Sequence, residues 1–180
     1  MKDLSLHILD IIENSVRAGA KKIDILIEQD IKKDILKVSI KDNGKGMEKR
    51  LIKNAADPFF TTKKSKRVGL GIPLLKQAAE SAGGRFKIES KKKKGTKIEA
   101  EFQDSHIDRK PLGDIAETFI SAVLMAPETE FIFRYKKDGS DLVLKTKELK
   151  KQIGVETLTN TNILKELKDL LNNKLKELQE

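Results

Sequence analysis

Asp10, Glu13, Asn14 and Arg17 fall within one short stretch near the N-terminus. Asp10 and Asn14 are four residues apart and Asn14 and Arg17 three apart, so on an α-helix all three project from one side. An amide oxygen at 14 can ligate a magnesium ion, a carboxylate one turn earlier can take a proton from water or a hydroxyl, and a guanidinium can grip phosphate oxygens. Alone, this stripe is also what any surface helix presents opposite its apolar face. The run Asp42-Asn43-Gly44-Lys45-Gly46-Met47 is more informative. An aspartate leaving a strand, followed by alternate glycines, lets the backbone approach a flat ligand while the carboxylate accepts from an exocyclic amine such as adenine's N6. The alternative is a plain Asn-Gly turn. Gly69-Leu70-Gly71 stands just ahead of a helical pattern, where free backbone N–H groups and the helix dipole favour phosphate. Shortly before it, Pro58-Phe59-Phe60-Thr61-Thr62-Lys63 offers hydroxyls, Thr62 among them, and the Lys63 ammonium within a polar, lid-like loop.

The elements that must position these groups follow from periodicity. Leu4, Ile8, Ile11, Ile12 and Val16 recur at helical spacing, which predicts an amphipathic helix over 3–17 that ends at Gly19. Ile23, Ile25 and Ile27, then Leu36, Val38 and Ile40, alternate with polar neighbours and predict two strands joined by a hairpin-like link, the second running into Asp42. Leu70, Leu74, Leu75, Ala78 and Ala79 line one face of a further helix, with Pro73 tolerated in its first turn and Gly83-Gly84 at its end. Phe86 and Ile88, then Ile98, Ala100 and Phe102, give two more strands joined around Gly95. Helices on one face of a largely antiparallel sheet make an α+β fold, a two-layer α/β sandwich, over residues 1–104. Beyond Asp104 the pattern changes. A helix from about Leu112 to Leu124, a hairpin around Asp138-Gly139, and a last helix with Ile163, Leu167, Leu170 and Leu171 inward predict a small α-β-β-α appendage over 105–180.

In order and spacing these segments resemble the ATPase family shared by sensor histidine kinases, gyrase, MutL mismatch-repair proteins and anti-sigma serine kinases, over about residues 4 to 102. Glu13-Asn14-Ser15 with Ala18-Gly19-Ala20 is similar to the N box as MutL proteins write it, and Asp42 to Gly46 to the Asp-x-Gly-x-Gly box. Pro58 to Lys63 is similar to the Phe-rich box of kinases, Gly69 to Ile72 to the second glycine box, and Gly83-Gly84 with Gly95-Thr96 to the closing strands. The resemblance implies the histidine-kinase-like ATPase fold with ATP and magnesium as cofactors. By it Asn14 holds the metal, Asp42 the adenine, Gly44, Gly46 and Met47 the purine pocket, and Thr96 a water near the base. Gly69, Leu70 and Gly71 offer donors to phosphates, and Lys63 reaches the terminal phosphate. Asp10 stands where MutL-like and anti-sigma members carry a glutamate base, and Arg17 where sensor kinases often carry a basic residue. Arg67-Val68 departs from the small residues that usually precede the second glycine box.

Ser105 to Leu112 resembles the histidine box of sensor kinases, which makes His106 a candidate phospho-acceptor. Ile107 replaces the acid that normally follows, and a hairpin stands where a second long helix is expected, so a structural histidine is the competing reading. The dimerising helical module of sensor kinases is expected to be missing ahead of the N-box helix. His7 is read as a packing residue.

Composition narrows the classes further. With no cysteine, disulfides and thiolate metal sites are excluded, and two distant histidines argue against structural zinc. The formal charge of +9 sits entirely in residues 1–104, which hold 24 basic and 15 acidic side chains. With one Tyr and no Trp the basic half lacks stacking platforms, so a nucleic-acid partner is not expected; a polyphosphate or an acidic protein accounts for the charge. The lysine run at 91–94 is read as a solvated turn. No secretory pattern or long apolar run is present, which predicts a cytoplasmic protein without a membrane partner. The reading is an ATP-dependent protein kinase or ATPase, or alternatively a non-catalytic ATP-responsive module. Its partner is a protein or phosphoryl acceptor; the family often forms homodimers, but no long heptad seam is seen here.

Overall fold

The two isoleucine-rich runs form the strands their period-two pattern predicts. In the computed structural model, which describes residues 2–55 and 70–179, they are β1 (Lys22–Asp30) and β2 (Ile35–Asp42), joined by a turn at 31–34. Ahead of them lies α1 (Leu4–Arg17). The Asp3 carboxylate caps it by accepting from Leu6 N, and Gly19, with φ of +75°, ends it. Its stripe of Leu4, Ile8, Ile11 and Ile12 is buried as expected.

After Asp42 come α2 (Lys49–Ala55), α3 (Gly71–Ser81), β3 (Arg85–Lys91) and β4 (Gly95–Gln103). The short α2 has no clear apolar period and is not foreseen from the sequence. In α3, Leu75, Ala78 and Ala79 are buried, whereas Leu70 is 40% exposed because it precedes the helix as its N-cap instead of lining the apolar face.

The C-terminal segment continues with α4 (Ile115–Met125), β5 (Glu130–Lys137), β6 (Ser140–Lys145), α5 (Thr146–Ile153) and α6 (Thr161–Gln179). Its expected helix-hairpin-helix order is found, with one additional helix, α5. The first helix starts at Ile115 and not at Leu112, because Gly113 takes a φ of +80° and Asp114 caps Glu117 N at 2.8 Å. In α6 the buried stripe runs through Leu164, Leu167, Leu171 and Leu175, and this phase leaves Leu170 outside at 47% exposure.

The hairpin does not stand apart. A single six-stranded sheet runs in the order β3-β4-β2-β1-β5-β6, antiparallel except where β5 pairs in parallel with β1 over 22–29. Register aligns Ile23 with Phe131, Ile25 with Phe133 and Ile27 with Tyr135. These join Val38, Ile40, Ile98, Ala100 and Phe102 in one core with the helices of both halves. Phe119 of α4 meets Phe133 with ring centroids 5.6 Å apart. Each such side chain contributes about 1.5–3 kcal/mol on burial, so the β1–β5 seam is a substantial part of the fold. The other sheet face is a lattice of charges: Lys37 bridges Glu99 and Glu101, Arg85 meets Glu101, and Lys97 meets Glu99.

Candidate functional site

The end of β2 delivers Asp42 into the body of the protein, 8% exposed. A carboxylate so placed needs donors, and it has three. Ser15 Oγ of α1 donates to Oδ2 at 2.9 Å, while Gly44 N at 2.8 Å and Thr96 N at 3.3 Å donate to Oδ1. A carboxylate offers about four acceptor directions, so one on Oδ2 is left for an incoming N–H.

Two glycines fix the loop around it. Gly46 has a φ of +62°, and a Cβ there would lie 2.0 Å from Lys91 O. Gly95 has a φ of +96°, and its Cβ would lie 1.9 Å from Asp42 O. Only glycine meets both demands, left-handed backbone and contact with a neighbouring main chain. The loop 42–46 and the β3–β4 turn are therefore in backbone contact, closed further by Lys93 N donating to Lys45 O at 2.6 Å. Ser90 ties the arrangement together. Its Oγ accepts from Met47 N at 2.8 Å, donates to Gly95 O at 3.0 Å and lies 2.8 Å from Thr96 Oγ1. Met47 and Thr96, both half-buried, are thus held beside Asp42.

On α1, Asn14 is half-buried and follows Asp10 by one turn. Its amide makes no side-chain hydrogen bond among the described residues. Asp10 faces the start of α3: a Cβ on Gly71 would lie 3.0 Å from Asp10 Cβ and 3.2 Å from Oδ2. The N-cap residue of α3, Leu70, makes no side-chain cap hydrogen bond, and the helix begins beside Asp10. Arg17 turns its guanidinium to Glu13 at 2.9 Å and is largely exposed.

The structure therefore brings Asp42, Gly44, Gly46, Met47 and Thr96 together at one end of α1, with Asp10, Asn14, Leu70 and Gly71 along it. Thr62, Lys63 and Gly69, with the Phe-rich box and Arg67-Val68, lie outside the described residues. His106 is elsewhere. It sits in the turn after β4, its Cδ2 near Gly83 past the C-terminal end of α3, and its Nδ1 accepts from Asp108 N at 3.1 Å. The eleven residues of α3, about 16 Å at 1.5 Å per residue, separate it from Gly71. His7 is fully buried, with Nδ1 unbonded among the described residues and Nε2 3.5 Å from Lys110 Nζ. Burial and the nearby Lys110 ammonium push its pKa down to about 4.

Ser15 and Ser90 are the site residues that sequence reasoning missed. Ser15 sits beside Asn14 on the helix, but only the crossing of α1 over the end of β2 reveals its partner 27 residues away. Ser90 carries no motif signal.

The residues present fit a purine nucleotide with magnesium. A pinned carboxylate keeps one acceptor direction, and among the described residues the Asn14 amide makes no side-chain hydrogen bond one turn from a carboxylate, as a hard cation shared with phosphate requires. Among the described residues no helix is long and apolar enough to cross a membrane.

Comparisons with known proteins agree with this architecture. A family model described as histidine kinase-, DNA gyrase B-, and HSP90-like ATPase matches residues 2–106. Sporulation kinase C of Bacillus subtilis is 33% identical over 88 residues, covering 49% of this chain and 20% of that protein. The sensor protein DegM of a Bacillus species is 31% identical over 91 residues, 51% of this chain and 24% of its own length. The chain spans less than a quarter of the length of the curated relatives it matches first, at 17%, 18%, 24% and 19%. Among solved structures, the Aquifex aeolicus MutL ATPase domain complexed with ADP aligns with a TM-score of 0.51 at 16% identity, over 86% of this chain and 70% of that one. The N-terminal domain of a DNA repair protein aligns with a TM-score of 0.56 at 14% identity, over 79% and 52%. With the site's geometry and a family model covering more than half of its residues, the chain belongs to the histidine kinase-, DNA gyrase B- and HSP90-like ATPase family.

Proposed function

We propose that the protein binds Mg-ATP and passes the terminal phosphoryl group to a protein partner or to water, in the cytoplasm. The observation that carries this reading is Asp42, buried and held by Ser15, Gly44 and Thr96 with one acceptor direction left. The adenine amine donates to that direction, and Met47 and Thr96 flank the base. Asn14 holds the magnesium ion, which neutralises phosphate charge and orients the chain of phosphates. The uncapped start of α3, at Leu70 and Gly71, receives phosphate oxygens through backbone N–H groups. Asp10 accepts the proton of the attacking hydroxyl or water, and most of the rate comes from positioning and electrostatics. The MutL ATPase domain of the same fold, solved with ADP, supports nucleotide binding by this fold; the name of sporulation kinase C supports a kinase.

One observation favours a second reading, a non-catalytic module that changes a partner surface when ATP binds. Asp10 is shorter than the glutamate of the MutL-like pattern, and its carboxylate lies against Gly71. Titration calorimetry with ATP and magnesium tests binding; phosphate release and transfer to candidate proteins, with Asp10→Ala and Asp10→Glu, test catalysis. Heat with turnover lost in Asp10→Ala and kept in Asp10→Glu establishes the enzyme. Heat with negligible turnover throughout establishes the module, and no heat rejects both.

A further inference from the structure

The positive charge of residues 1–104 is not spread evenly over the surface. On the open sheet face several cations are answered, Lys37 and Lys97 by Glu99, Arg85 by Glu101 and Lys87 by Glu89. Lys92 is answered by Glu48 at 2.7 Å. Lys21, Lys22, Lys45, Lys91, Lys93 and Lys94 are different: among the described residues none has a carboxylate within ion-pair distance.

These six come from three turns locked together by backbone. Lys21 N and Lys22 N both donate to Asn43 Oδ1 at 2.9 Å, Lys45 N donates to Ala18 O at 2.9 Å, and Lys93 N donates to Lys45 O at 2.6 Å. Five of the ammonium stems are exposed and Lys22 is half-buried. Lys93 even holds a left-handed backbone, with φ of +64°, where glycine or asparagine is the usual occupant. Like charges so gathered repel one another and cost stability. No ion pair among the described residues offsets that repulsion, so an external anion would relieve it.

We propose that this three-turn lysine cluster is a docking surface for an acidic segment of a partner protein. Its composition selects a protein over a nucleic acid. It contains lysines alone, compact charges on flexible stems that match scattered carboxylates, and no Arg fork for phosphates. Among the described residues it also presents no exposed ring on which a base could stack: Phe102, Phe119, Phe131, Phe133 and Tyr135 are buried and Phe86 packs against the core. The inference rests on charge pairing and does not require the nucleotide reading. Because Lys45 belongs to the loop that carries Asp42, a docked segment lies against the wall of the candidate nucleotide site.

The test is fluorescence anisotropy on the full chain without nucleotide, with a labelled glutamate-rich peptide and, in parallel, a labelled DNA duplex of arbitrary sequence. The peptide is expected to bind saturably and more weakly as salt rises. Affinity should fall at least about tenfold in Lys91→Glu/Lys93→Glu/Lys94→Glu and also in Lys21→Glu/Lys22→Glu, since each removes charge at the surface that steers and holds the anion. These variants alter separate segments, one around the start of β1 and one around the end of β3, so a shared loss is not a folding artefact of one. Lys147→Glu/Lys151→Glu on α5 matches the charge change of the second variant elsewhere and should change affinity by less than about twofold. Absence of peptide binding, equal loss in all three variants, or tighter binding of the duplex than of the peptide overturns the proposal.

Discussion

Among the described residues, Ser15 and Asp42 form the one buried side-chain pair on which the candidate site depends. Replacing Asp42 with Asn removes the charged acceptor proposed to face the base. A hydrogen bond to a charged group contributes about 1.5–3 kcal/mol, so ATP affinity should fall about 10- to 100-fold by titration calorimetry. Ser15→Ala acts one step back. It leaves Asp42 Oδ2 one donor short in a buried place, at a cost of about 1–3 kcal/mol in stability, with a smaller, severalfold loss of nucleotide affinity. Should Ser15→Ala leave both the unfolding midpoint and the affinity unchanged, Asp42 is not positioned as described. Of this pair the aspartate was legible, because an Asp-x-Gly-x-Gly run after an alternating strand stands in order with the other segments that carry the family resemblance. The serine was not, since a small polar residue on a helix acquires its meaning from whatever lies across the sheet.

At the scale of elements, the contact between the loop 42–46 and the β3–β4 turn is the device that keeps the site open and shaped. Gly95 and Gly139 make a matched comparison, as both have strongly positive φ, +96° and +92°. A Cβ at Gly95 meets Asp42 O at 1.9 Å, whereas at Gly139 nothing lies within 4 Å. Backbone strain alone costs about 1–3 kcal/mol. Gly139→Ala is therefore expected to lose only that, while Gly95→Ala loses clearly more and also weakens ATP binding, by displacing Asp42; thermal unfolding and calorimetry read the two effects. Periodicity placed α1, β1, β2, α3, β3 and β4 because each turns a regular stripe toward the core, half-buried in β3 and buried in the others. It missed α2 and α5, which are too short and have too few apolar residues to establish a period, and it misjudged Leu170, since three leucines within five residues fit more than one helical phase and contact with the rest of the core selects among them.

For the whole molecule, β5 completes what residues 1–104 begin. Without residues 105–180, β1 becomes an edge, and Ile23, Ile25 and Ile27 lose Phe131, Phe133 and Tyr135. We expect 1–104 alone to unfold without a cooperative transition and to bind a hydrophobic dye; a sharp melt close to that of the full chain would show instead that the first segment is a self-sufficient domain. His7 sets a second global property. Unfolded it takes up a proton near pH 6.5, but in the fold only near about 4. Between those values the unfolded chain binds more protons, so stability is complete above pH 6.5 and declines as pH falls toward 4. Urea unfolding at pH 7 and pH 5 should differ by up to about 2 kcal/mol from this group, and His7→Leu should remove that part of the difference.

The order of the chemistry-bearing segments, their assignment to helix, strand end and turn, and the membership of their family were determined by local sequence, because spacing along a helix and alternation along a strand are properties of neighbours in the chain. What the tertiary structure decided is which distant groups share a place: Ser15 with Asp42, Ser90 with Met47 and Thr96, Asp10 with the start of α3, and the C-terminal hairpin with β1. Those pairings depend on register and on how helices cross the sheet, and burial of the whole core selects them together.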